Sequence, residues 1–151
     1  MSADPVLARI GEAAQLNHHQ GQPAAARELL IRIWAEIGAE QGDPLHVSVL
    51  AHTMADVQDD VEQELVWDLR ALAAIDLLTD ERLAQARVPF RVAGLYPSAH
   101  LNLGECYRKL GDLDRARDHL RRAEAGVGAL ADDDYGRLVR SGLQVLAGQL
   151  S

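Results

Sequence analysis

The sequence predicts an all-α fold: a short solenoid of three antiparallel helix pairs followed by a C-terminal capping helix. Three observations carry this. Apolar residues recur at spacings of three and four, Asp-Pro and similar helix-start signals recur, and one pattern of small residues returns along the chain. Aromatics are only 4% of residues, so Leu, Ile, Val and Ala must fill the core, and no long β-branched run argues for strands. The 151 residues, 48% of them hydrophobic, suffice for one domain, 1–151, with a real core.

Each element has a local cause. Asp4-Pro5, Gln22-Pro23 and Asp43-Pro44 open helices near 5–19, 23–38 and 44–58, because proline fits a first turn whose N–H has no partner. Asp60 followed by Gln63 resembles a capping box and opens a helix over 61–78. Val61, Leu65, Leu69, Leu72 and Ile75 read as its apolar face. Thr79 can cap a short helix at 80–87. In "ARVPFRVAGLYPS", residues 86–98, Pro89, Gly94 and Pro97 break helix, yet Phe90, Val92, Leu95 and Tyr96 are too apolar for a free linker. A loop packed onto helices is expected there. Helices follow near 97–110 and 113–127, the second capped by Asp112, and a last one near 133–149 capped by Asp132. Its apolar face reads as Tyr135, Leu138, Gly142, Leu146 and Leu150. Short connections make neighbours antiparallel. The pairs therefore lie near 5–38, 44–78 and 97–127, with an insertion at 79–96 and a capping helix at 133–150.

The stretch "LNLGECYRKLGDLDRARDHLRRAEAG" holds a glycine inside a helical pattern. From Gly104, Tyr107 lies three residues on, Gly111 seven, Ala116 twelve, Leu120 sixteen and Ala123 nineteen. This spacing closely resembles the tetratricopeptide repeat, a helix pair with small residues where its two helices cross. Gly104 then permits close approach, Ala116 does the same on the second helix, and Gly111 ends the first helix in a left-handed cap. With Ala14 as origin, Asn17, Gly21, Ala26, Leu30 and Ile33 fall at the same offsets. With Ala51 as origin, Met54 and Gln58 match, and two extra residues in the turn bring Leu65, Leu69 and Leu72 into place. The origins are 37 and 53 residues apart, against a usual period of about 34. Residues 133–150 resemble the helix that shields the last repeat of such arrays. The motifs "QDD", "WDLRAL", "LTDER" and "YPSAHLNL" resemble actinobacterial tetratricopeptide proteins, and fourteen arginines against one lysine fit a high-GC source. That resemblance brings no activity with it.

The net charge is −8. Residues 44–96 hold nine acids against four arginines, whereas residues 97–151 balance at eight and eight. Such a surface repels phosphate backbones, so nucleic acid is not the expected partner. No run of about 18 apolar residues exists to span a membrane. One cysteine, Cys106, and an N-terminus "MSADPVLARIGE" without a basic or apolar leader point to the cytoplasm. A glycine-rich phosphate loop, a nucleophile elbow and a zinc-protease helix signature are all missing. The expectation is a non-catalytic protein without cofactor or metal.

The tetratricopeptide resemblance implies a concave face built from the first helix of each pair. The face positions it implies are Glu12, Gln15, His18 and His19 in the first repeat, His52 and Asp56 with Val49 and Ala55 in the second, and Asn102, Glu105, Arg108 and Lys109 in the third. Asn102, Arg108 and Lys109 are a partial echo of the family's peptide-carboxylate clamp. Glu12, Asp56 and Glu105 favour a basic or polar protein segment instead. A small-ligand or metal sensor using His52, Asp56 and Asn102 is the alternative. Trp34 and Trp67 read as packing between repeats, and a homo-oligomer through edge packing or Trp67 is a further possibility. His100 stands where the repeat wants a bulky core residue, and His46 and His119 read as surface residues.

Overall fold

A computed structural model describes residues 4–151; the first three residues of the N-terminal stretch read for a leader lie outside it. Eight α-helices and no strand occur among the described residues: α1 Pro5–His18, α2 Pro23–Glu36, α3 Pro44–Asp56, α4 Val61–Ile75, α5 Asp80–Gln85, α6 Tyr96–Lys109, α7 Leu113–Ala125 and α8 Asp134–Leu150. Short 3-10 turns lie at Ala39–Gln41, Val92–Leu95 and Val127–Ala129. Helices α1–α2, α3–α4 and α6–α7 pack as pairs, as an all-α helical repeat requires. By backbone contacts the chain forms two compact units, residues 1–89 and 90–151.

The caps are in place. Asp4 accepts from the Val6 and Leu7 amides, Asp43 from Leu45, Asp60 from Glu62, Thr79 from Arg82 and Asp112 from Arg115. The last helix is capped by Asp133, which accepts from the Gly136 amide at 2.8 Å, not by Asp132, which takes Arg137 instead. Three consecutive aspartates leave the choice to the chain's entry angle.

In the N-terminal unit, Ile10, Ala13, Ala26, Leu30, Ile33, Leu50, Met54 and Val57 form the core. Ala51 is fully buried, while at the first origin Ala13 is enclosed and Ala14 only half-buried. Helix α3 is buried on nearly all sides, and its Ser48 and Thr53 hydroxyls are satisfied by the carbonyls of Leu45 and Val49. Helix α4 departs from the expected register. Its buried residues are Asp68, Ala71, Ala74 and Ile75, whereas Leu69 is 41% exposed. The buried stripe runs one residue before the leucine stripe at 65, 69 and 72, so the two-residue shift inferred from sequence overshoots by one.

In the C-terminal unit, Ala116, Leu120, Ala123, Leu130, Val139, Leu143, Leu146 and Leu150 form the core. Helix α8 packs on both α6 and α7. Its inward face is Val139, Leu143, Leu146 and Leu150; Leu138, expected inside, is 71% exposed. The reason stands opposite. A methyl group on Gly104 would lie 2.8 Å from Leu146 Cδ2 and 3.4 Å from the Ala116 carbonyl oxygen. Gly104 thus opens the space that Leu146 fills, which sets the rotation of α8. Gly111 has φ +84°, and the amides of Gly111 and Asp112 bond the carbonyls of Arg108 and Tyr107, a Schellman cap. Within residues 86–98, Val92, Leu95 and Tyr96 are half-buried and Gly94 and Pro97 buried, as a packed segment requires, whereas Phe90 stays 38% exposed. Phe90 meets the Tyr135 ring at 5.4 Å and Gly94 lies close to Ala129. Arg140 holds the loop before α8 by bonding the carbonyls of Val127, Leu130 and Ala131.

Candidate protein-binding faces

Helices α1 and α3 carry the first set of candidate residues. Glu12, Gln15, His18, His19, His52 and Asp56 are all exposed. Ala13 is enclosed on α1 and Ala51 on α3, and Glu12 and His52, one position away on each helix, turn outward. The geometry joins the first and second repeats here, because His18 Nε2 lies 3.9 Å from Asp56 Oδ2. At the end of α3, Arg27 donates to the Val57 carbonyl at 2.6 Å and lies 3.8 Å from Asp59. That arginine holds the C-terminal end of the helix in place beneath the face. Ala55 is buried and offers nothing to a partner.

Helix α6 carries the second set. Asn102, Glu105 and Arg108 are half-buried and Lys109 is exposed. Arg108 donates to both Glu105 oxygens, at 3.1 and 3.4 Å. A guanidinium already held by a carboxylate must break that pair to grip a peptide terminus, which weakens the clamp echo. Of the residues named for a sensor, His52 and Asp56 share α3, and Asn102 belongs to the other unit.

Trp34 and Trp67 meet edge to face with centroids 5.0 Å apart. The Arg70 guanidinium lies 4.4 Å from the Trp67 ring centre and 3.2 Å from Glu40. Such a ring pair contributes about 0.5–1.5 kcal/mol beyond area burial. Both indoles are therefore engaged in packing within the N-terminal unit.

Two histidines read as surface residues are not. His46 has a side chain only 15% exposed and bonds Asp4 at 2.8 Å. Around it Arg82 donates to Asp43 through Nε at 3.0 Å and through a terminal nitrogen at 2.8 Å, and lies 3.7 Å from Asp4. The caps of α1 and α3 are thus tied to α5. Burial opposes ionisation of both aspartates, but hydrogen bonds from His46 and backbone amides to Asp4, and from Arg82 and the Leu45 amide to Asp43, outweigh it and hold both carboxyls below the ordinary value. His119 is buried, and its Nδ1 lies 3.0 Å from Nδ1 of buried His100, so one ring must donate and the other accept. Tyr107 stacks on His119 at 5.4 Å. Burial, then the neighbouring His100 and Arg122, lower the His119 pKa; Asp118 opposes them. The available signal for His119 was its place beside Leu120, one turn after Ala116. For His46 there was none, since its partner is remote in sequence.

Cys106 is a free cysteine buried within α6. No helix among the described residues is long and apolar enough to cross a membrane.

Paired helices, small residues at their crossings and exposed polar first-helix positions define an all-α helical repeat protein. Residues 97–125 match the family model described as tetratricopeptide repeat, so the chain carries a repeat of that family at α6–α7. Neither curated proteins nor solved structures show a match to the chain. The tetratricopeptide repeat is generally a protein–protein interaction module and typically non-catalytic.

Proposed function

We propose that this protein is a non-catalytic module that binds a protein or peptide segment through the first helices of its repeats. The face on α1 and α3 offers Glu12, Gln15, His18, His19, His52 and Asp56; that on α6 offers Asn102, Glu105, Arg108 and Lys109. The observation that carries the reading is the His18–Asp56 approach of 3.9 Å, which makes one polar surface from helices 38 residues apart in sequence. Glu12, Asp56 and Glu105 give these faces a preference for basic or polar segments, in keeping with the net charge of −8. The single buried cysteine suits a reducing compartment, and the cytoplasm is the proposed location.

The test is binding of a lysine- and arginine-containing peptide to the wild type, Asp56→Lys and Glu105→Lys. Reversing a charge at a contacting position should weaken binding about tenfold, or ~1.4 kcal/mol. Unchanged affinity in both variants would discard these faces as the binding surface.

A further inference from the structure

We propose that the N-terminal unit has a second docking surface: an apolar groove along the outer side of α4 that receives a basic amphipathic helix of a partner protein. The motive is a second apolar stripe, left uncovered beside the buried Ala71, Ala74 and Ile75. An ordinary amphipathic helix buries its apolar stripe and exposes its charges. Helix α4 buries Asp68 and leaves Val66, Leu69 and, just beyond its end, Leu77 exposed at 37%, 41% and 69%. With Ala73, also exposed, these residues follow spacings of three, four and four, so they form one continuous stripe.

The stripe has a floor. Leu69, Ala73 and Leu77 face Gly42, Pro44 and Val47 across a cleft of about 290 Å³. Alanine in the middle of the stripe leaves room between the two leucines for one large side chain. A leucine, methionine or phenylalanine presented at helical spacing suits such a site, the helix-in-groove mode of recognition.

Charge selects the occupant. Between Val61 and Glu81 the chain has six acids and one basic residue, Arg70. Arg70 is paired with Glu40 at 3.2 Å and lies over the Trp67 ring at 4.4 Å, so its charge is already engaged. Glu62 before the stripe and Asp76 beside its end are exposed. A helix with lysine or arginine flanking its apolar face complements this border, whereas a second copy of the chain would set the same acids against one another.

The experiment titrates the full chain with a synthetic helix of about 18 residues, long enough for five turns, having leucine at heptad spacing and lysine beside it. Saturable binding is expected, weakened at least tenfold by Leu69→Ser/Leu77→Ser and left within about twofold by Glu124→Lys, the same charge reversal at an exposed position of α7. Glu62→Gln/Asp76→Asn should flatten its salt dependence. Because Leu77 is so exposed, Leu77→Ser alone should retain the wild-type helical spectrum and still weaken binding. Equal binding by the leucine variants, or by a peptide carrying glutamate for lysine, would overturn the proposal. So would a concentration-dependent dimer, seen by sedimentation, that Leu77→Ser dissolves.

Discussion

Gly104 sits inside α6, where glycine costs about 1 kcal/mol relative to alanine. The close approach of Leu146 and of the Ala116 carbonyl offsets that cost. Gly104→Val should therefore destabilise the protein by about 1–3 kcal/mol through overpacking, read as a lower midpoint in urea at unchanged slope. His119 supplies a pH test at the same scale. Its folded pKa lies below the unfolded one, so the unfolded chain binds the proton more readily. Stability is then full above the ordinary imidazole range, about pH 6.5, and falls as pH drops below it. In His119→Phe, which keeps a stacking ring for Tyr107, the loss of stability between about pH 6.5 and pH 5 should shrink. Urea midpoints across that range provide the check.

At the scale of elements, the Asp4–His46 and Asp43–Arg82 contacts give α5 a fixed place although it has only six residues. Six residues are too few to form a stable helix alone. Arg82→Met keeps the stem and removes the charge, so α5 amides should exchange hydrogen at least tenfold faster while those of α7 are unaffected. Both aspartates titrate below their ordinary value in the fold. Their stabilisation is present above the ordinary carboxyl range and is lost as pH falls through the depressed values. A double Asp4→Asn/Asp43→Asn protein should lose stability at neutral pH, and its unfolding midpoint should depend less on pH in that acidic window.

At the scale of the whole chain, a net charge of −8 has a direct consequence. Counterion release needs cations facing phosphate, and residues 1–96 supply only seven arginines against fifteen acids. No retention on heparin or duplex DNA is expected at about 0.15 M salt; retention would demand a basic patch that the acidic excess argues against. Segments, and every aspartate or threonine cap but that of α8, were readable because their causes are local. Proline at a first turn, or aspartate ahead of one, acts within a few residues of itself.

The sequence alone determined the all-α class, the helix order, the left-handed stop at Gly111 and the repeat at residues 97–125, because each depends on neighbours along the chain. Only the tertiary structure decided which of two adjacent stripes turns inward. In α8 the choice lay between Leu138 and Val139, about 100° apart and both apolar, and the cavity left by Gly104 settled it by admitting Leu146. In α4 the buried stripe includes Asp68, which no hydrophobic pattern selects. His46 and His119 became interior groups for the same reason: their partners, Asp4 and His100, lie 42 and 19 residues away, and only folding brings them within hydrogen-bond reach.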